Sequence, residues 1–553
     1  MFKVKVISSL QNVLPKADFE SFKEVKKLKG LKGERVSFQI LSKYSLEEGS
    51  FRKKDGFFTL RSPFGKNVKT SVEGFVPVGL PCYSEHSRGA YLSKEPGLFP
   101  DVLYPIAAKE RMYFKASTPT VLMVTVDIPE DFEAGEYSVN FCFHIGEEKH
   151  SVKVLVEVCD AVIKKNDLMF TQWFHCDSIA DYHGVKMMSK RHWALIDEYI
   201  KTAARTGINM ILTPILTPPL DTEIGTERPT MQLVGIKKTG DRYEFDFTLL
   251  EKWVGICKKH GIEYFEMSHL FTQWGVKCCP KVVVEIEGKK VKEFGWHTAS
   301  MSDGYKNFLS QFLPALTAKL KGLGIADKTY FHISDEPGMD PEKPDLENYK
   351  AAKTFIKKYL NGFKLIDAIS NIEFYKTGLI SVPVVSTNHI EPFMKEDIKE
   401  RWCYYCCGQG DDVSNRFIAM PSFRNRIIGT QMFQSDISGF LQWGYNFYYT
   451  EKALYKIDPY GVTDGEQAWP AGDPFSVYPY GDRAIESLRT VVFYEALQDR
   501  MLLKMLSEKI GLENAKKWVG EEAGMDINFK EYPETSEFLE TMHDKIIEKL
   551  TEK

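Results

Sequence analysis

"GYKNFLSQFLPALTAKLKGLGIADKTYFHISDEPG" covers residues 304–338, and its reading decides the fold. The first part has the pattern of an amphipathic helix and ends at Gly324, where a left-handed cap wants glycine. A short apolar strand, 328–334, follows. Asp335 and Glu336 then stand side by side, and Pro337-Gly338 stops the strand. Adjacent like charges repel, so the pair is either a solvated turn or two carboxyls held for chemistry.

The helix-then-strand pattern recurs on both sides. Strand-like runs are expected at 168–175, 208–213, 262–268, 328–334, 364–370, 382–387, 401–407 and 437–444. Helical patterns such as "RHWALIDEYIKTAARTG" and "LLEKWVGICKKHG" lie between them, closed by Gly207 and Gly261. The connection at 371–380 is short for a helix. Eight such units predict a (β/α)8 barrel over residues 161–500. An open doubly wound sheet is the alternative, but no glycine-rich phosphate loop follows any strand. Residues 1–160 hold short strands rich in Val, Phe and Tyr, separated by turns such as "PEDFEAGEY", and predict a β-sandwich. Residues 501–553 read as surface helices. The expected fold class is therefore α/β: an N-terminal sandwich, a barrel and a C-terminal helical segment.

Composition narrows the function. A net charge of −4 gives no reason to expect a nucleic-acid or anionic-membrane partner. No run approaches the length of about 20 apolar residues that spans a bilayer. The N-terminus, "MFKVKVISSLQNVLPKADF", does not read as a signal peptide, so a cytoplasmic location is expected. Ten cysteines are too few for a disulfide framework, and Cys278-Cys279 and Cys403-x-x-Cys406-Cys407 lack the paired spacing of a zinc site. No cofactor or metal is expected.

In a barrel of this kind, chemistry sits at the C-terminal ends of the strands. Those ends carry Trp173, His175 and Asp177 on the first strand, His269 and Trp274 after the third, and Asp335-Glu336 on the fourth. Asn388 and His389 follow the sixth, Trp402 and Tyr404 lie on the seventh, and Trp443 lies on the eighth. Arg228, in the loop after the second, either reaches the mouth or braces that loop. Aromatic rings with carboxyls suit a sugar, whose C–H faces stack on rings while its hydroxyls need polar partners. All nine tryptophans follow residue 160, which places any sugar platform on the barrel. For Trp402 and Trp443, site and core are both open. A lone histidine such as His269 has a structural reading beside its reading as a sugar-hydroxyl contact, and His332, inside the strand, is assigned to the core.

An ordinary retaining glycosidase places two carboxyls about 5–5.5 Å apart, on opposite faces of the scissile bond. Neighbouring Cα atoms are about 3.8 Å apart, and both carboxyls would approach from one edge of the barrel. That suits another division of labour. One carboxyl protonates the leaving oxygen, and the other orients a 2-acetamido group whose carbonyl oxygen attacks C1. A distant enzyme nucleophile, Asp177 or Glu266, is the rival reading, and a glycan-binding protein without turnover is a third.

"TYFHISDEP", "TQWFHCDSIADY", "ERPTMQLV", "RWCYYCCGQG", "ISGFLQWGYNFYY" and "GDPFSVYPYGDRAIESLR", with the sandwich segment "VTVDIPEDFEAGEY", together resemble glycoside hydrolase family 123. The resemblance implies a retaining exo-β-N-acetylgalactosaminidase that works by substrate assistance on a glycolipid or oligosaccharide. Asp335 would orient the acetamido group and Glu336 would be the general acid/base. Tyr404 would bond the acetamido carbonyl. Tyr405 is the competing choice, but Tyr404 shares a strand face with Trp402 and Tyr405 does not. Trp402, His269, Trp443, Asn388, Trp173 and His175 are substrate-contact candidates from strand-end position.

Overall fold

The computed structural model describes residues 2–45, 52–84, 86–116, 118–338 and 345–552. Residues up to Val162 form two five-stranded sheets packed face to face. One sheet is ordered Phe2–Ser8, Arg35–Tyr44, Thr120–Asp127, Val68–Val78, Gly97–Pro105. The other is ordered Lys27–Lys32, Glu148–Val162, Gly135–Ile145, Lys53–Arg61, Met112–Lys115. Alternate residues such as Val139, Phe141 and Phe143 turn inward to one core with Phe38, Phe58 and Val124.

Eight parallel strands then close into the expected barrel: β1 (Met169–Gln172), β2 (Met210–Thr213), β3 (Tyr264–Met267), β4 (Thr329–Phe331), β5 (Lys364–Ile369), β6 (Val382–Ser386), β7 (Trp402–Tyr404) and β8 (Gly439–Gln442). The strand period of two sorts their side chains. Met210, Leu212, Tyr330, Ile366, Val384, Trp402 and Leu441 fill the interior. Phe170, Ile211, Phe265, Phe331, Val385, Cys403 and Phe440 face the surrounding helices. Gly207, Gly261 and Gly324 take the left-handed conformation, with φ of 93°, 87° and 65°, and release each helix toward the next strand. The short connection before β6 holds only a four-residue helix, Glu373–Lys376.

A four-stranded sheet is added beside the barrel by two hairpins, which the sequence reading did not contain. Gly235–Thr239 pairs with Arg242–Asp246, and Val282–Ile286 with Lys289–Phe294. The second hairpin turns on Glu287-Gly288, both with positive φ (50° and 77°), as a tight two-residue turn requires.

The expected boundary between residues 500 and 501 falls inside a single helix, Leu488–Ile510. That helix is largely buried rather than a surface element. It packs on the barrel helices Ser422–Arg426 and Ile428–Gln434, on the two C-terminal helices, and against the sandwich. Its Arg489 grips the fully buried Asp101 of the sandwich through two bonds, 2.8 and 2.9 Å. Gln498 exchanges two bonds with the main chain of Arg35. Desolvation offsets much of the attraction in a buried pair of this kind, so it adds little net stability while intact. No helix among the described residues is long and apolar enough to cross a membrane.

Candidate active site

The C-terminal ends of the barrel strands surround an open cleft. Trp173, Trp274, Trp443 and Trp469 supply aromatic surface, while Asp221, Asp335, Glu336 and Tyr404 supply polar groups. Leu220, Ala368, Cys406, Cys407 and Leu441 complete the lining.

The two adjacent carboxyls enter this cleft because the chain after β4 is held from two sides, by the loop after β3 and by β5. The main chain of residues 332–335 accepts N–H groups from the loop after β3: Leu270 on His332, Phe271 on Ile333 and Trp274 on Asp335, at 3.0–3.3 Å. Ser334 donates its hydroxyl to the Thr272 carbonyl at 2.8 Å. The Ile333 N–H donates to the Asp367 carboxylate at 3.0 Å. Beyond this clamp Glu336 takes a left-handed backbone, φ 39°. Such a conformation is costly for a non-glycine residue, and it lets two consecutive side chains face one space instead of opposite sides. Asp335 lies half-buried and Glu336 is exposed. Burial, and then the neighbouring Glu336 carboxylate, pushes the Asp335 carboxyl well above the usual carboxylate range. Tyr404 donates its hydroxyl to Glu336 Oε1 at 2.7 Å.

Beneath the cleft is a buried charge network. Glu266 accepts from Thr171 Oγ1 (2.8 Å), Trp173 Nε1 (2.7 Å) and His332 Nε2 (2.5 Å). The other nitrogen of His332 donates to Asp367 at 3.0 Å, and Tyr349 donates to Asp367 at 2.6 Å. Burial disfavours a charged imidazole, but Asp367 and Glu266 outweigh it and hold His332 near a pKa of about 10. His332 is a core residue, as expected, yet a charged one that anchors both Trp173, through Glu266, and the chain running from β4 to Asp335.

Of the sequence candidates, Asp335, Glu336, Tyr404, Trp173 and Trp443 come together in the cleft. Trp443 is fixed there by its indole N–H on Asp473, at 2.8 Å. Trp402, His175, His269 and Asn388 do not line it. Trp402 is fully buried among the interior side chains, and Gly439 leaves it room: a Cβ there would meet its ring at 2.0 Å. His175 is buried behind Trp443, bonding its carbonyl at 3.0 Å, with Arg228 on its other nitrogen. Burial and Arg228 press its pKa down to about 3. His269 is buried and stacked 4.2 Å from His332, and neither of its nitrogens has a protein partner. Asn388 accepts from Gln409 and contacts His389. Arg228 braces rather than lines the site, in a buried bidentate pair with Asp177 at 2.7 and 2.8 Å. Tyr405 points outward, against Phe440.

The sequence reading missed Asp221 and Trp469 and gave Trp274 no role. All three lie in loops without periodic signal; "GDPFSVYPYGDRAIESLR", just after Trp469, was the nearest hint. His269, His332 and Asp367 have ligating atoms within 4.8 Å of one another. With both of its nitrogens carrying protons toward carboxylates, His332 has no lone pair for a metal.

The sequence profile of the glycoside hydrolase 123 catalytic domain matches residues 173–506, which takes in every cleft residue. No curated protein matches the chain. Among solved structures, a family 123 glycoside hydrolase from Clostridium perfringens, studied for glycolipid glycan hydrolysis, is 15% identical with a TM-score of 0.72. The match covers 100% of this chain and 97% of that one, which shows a shared fold. A β-glucuronidase from Parabacteroides merdae, 10% identical over 90% of this chain and 51% of its own, reaches a TM-score of only 0.32 and carries no argument. With the profile spanning more than half of the sequence and the adjacent acids at the mouth of its barrel, the chain belongs to glycoside hydrolase family 123.

Proposed function

We propose that this glycosidase removes terminal β-linked N-acetylgalactosamine from glycans, with retention, using the substrate's acetamido group as nucleophile. The observation that carries the reading is the side-by-side presentation of Asp335 and Glu336 on one edge of an aromatic-walled cleft. The rival nucleophiles weighed from sequence are otherwise engaged. Asp177 is locked to Arg228, and Glu266 accepts three bonds below the cleft.

In the proposed reaction Asp335 accepts the acetamido N–H and steadies the charge that develops as the carbonyl oxygen attacks C1. The bond from C1 to the leaving oxygen breaks as Glu336 delivers its proton there. Tyr404 has a single hydroxyl proton, now shared with Glu336. Turning it to the acetamido oxygen releases the Glu336 carboxyl for the leaving group. Water then attacks C1, gives its proton to Glu336 and reopens the ring. Two inversions at C1 give net retention.

The Clostridium perfringens relative suggests a glycolipid glycan as the natural substrate, and an oligosaccharide presents the same terminal sugar. The test compares aryl β-N-acetylgalactosaminide, β-N-acetylglucosaminide and β-galactoside. Turnover of the first, with the β-anomer as initial product, is expected. Comparable cleavage of the galactoside, which lacks the acetamido group, would overturn substrate assistance.

A further inference from the structure

Asp221 has no part in the reaction as drawn. It sits in the loop after β2, half-buried, with a left-handed φ of 39°. Its Oδ2 accepts the main-chain N–H of Lys452 at 2.9 Å, which fixes the carboxyl at the cleft wall. Among the described residues, the cleft thus has three carboxyls in its lining and no arginine, lysine or histidine. The cations near Asp221 are already paired: Arg228 with Asp177, and Lys452 Nζ with Glu223 at 3.0 Å. Arg416, deeper in the barrel, is held by the side-chain oxygens of Gln172 and Gln442.

We propose that the cleft selects terminal sugars without an anionic substituent, and that Asp221 is a specificity-determining residue. It accepts a hydrogen bond from an unmodified sugar hydroxyl and repels a sulfate ester or carboxylate in that place. The inference rests on the hexosaminidase reading above. A sulfate monoester is charged at every working pH, and sites built for one supply a guanidinium or ammonium partner. Here it would lose its hydration with no cation among the described lining residues to replace it. At a separation of about 6 Å and an effective dielectric of about 20, one carboxylate alone disfavours it roughly 100-fold.

The test uses the full chain with 4-nitrophenyl β-N-acetylgalactosaminide and its 4- and 6-sulfates, at low and high ionic strength. Wild type should prefer the unsulfated sugar by roughly 100-fold or more in kcat/KM, and salt should narrow the gap. Asp221→Asn keeps an oxygen for the Lys452 N–H and should narrow the ratio by roughly tenfold or more. Equal use of all three sugars, or a ratio indifferent to both salt and the substitution, overturns the inference and leaves the hexosaminidase reading standing. If the unsulfated glycoside is not turned over, that reading fails instead. Calorimetric binding of N-acetylgalactosamine and its 6-sulfate to wild type then decides selectivity by itself, equal affinities overturning it. The wild-type salt series does the same if the variant fails to fold.

Discussion

Replacing Asp335 with Asn tests the nucleophile most directly. Asn keeps the size of the side chain, and the clamp on its main chain, including the Trp274 N–H at 3.0 Å, does not involve the carboxyl. The amide oxygen can still accept the acetamido N–H, so the substitution removes charge and little else. A carboxylate about 4 Å from the cationic ring of the intermediate, at an effective dielectric of about 20, stabilises it by about 4 kcal/mol. The retained neutral hydrogen bond returns about 1 kcal/mol of this. The net, about 3 kcal/mol, predicts a fall in kcat of roughly 100- to 1,000-fold, the scale of losing one donor from an oxyanion hole. A galacto-configured thiazoline mimics the cyclised intermediate. It should inhibit wild type strongly and lose affinity for the variant by a comparable factor. The pH profile should change as well. Burial and Glu336 raise the Asp335 carboxyl, so the wild-type rate should climb with pH above the ordinary carboxylate range. That limb should disappear in the variant. The assay combines steady-state kinetics on the aryl glycoside, thiazoline inhibition and an intact-protein mass spectrum after rapid quench. Indifference of wild type to thiazoline, or a sugar ester found on Asp221 or any other carboxyl, would refute the reasoning.

Glu336→Gln should abolish cleavage of alkyl glycosides while sparing activated aryl glycosides, which need less protonation; equal losses on a leaving-group series would remove Glu336 from the acid role. Tyr404→Phe should lower kcat by about tenfold or more with little change in KM, since the hydroxyl acts on the reacting groups rather than on ground-state binding; steady-state kinetics read the split. Asp367→Ala strips the acceptor from His332, Ile333 N–H and Tyr349, and should cost about 3–5 kcal/mol in denaturant unfolding. Thermal stability should also fall at high pH. His332 and, beside Glu34, His543 are held near pKa values of about 10 against about 6.5 when unfolded. Their contribution is complete below about pH 6.5 and is lost as the pH rises through about 10, which melting curves across that range will show.

Some of this was legible in the chain itself. The eight strands and their helices follow from local periodicity, glycine caps and turn chemistry, all properties of neighbours in sequence. Asp335, Glu336 and Tyr404 were readable for the same reason: a barrel places strand ends at one mouth, and the strand period puts Tyr404 inside and Tyr405 outside. The same rule could not separate Trp402 from Trp443. Both are aromatic and both fall within runs that read as barrel strands, although Trp443 lies just past the end of β8. One fills the space left by Gly439, on the strand next door, and the other is fixed by Asp473, which follows about 30 residues later. His175, His269 and Asn388 stand close to strand ends, yet their neighbours turn them away from the cleft or bury them. Asp221 and Trp469 reach it from loops whose course is set by partners far along the chain, Lys452 in the one case and Tyr83 beside the other, at Ala468. Sequence period determined which face of the barrel each strand residue joins. Only the closed structure, by fixing which distant groups meet, decided which of those residues remain open to a sugar.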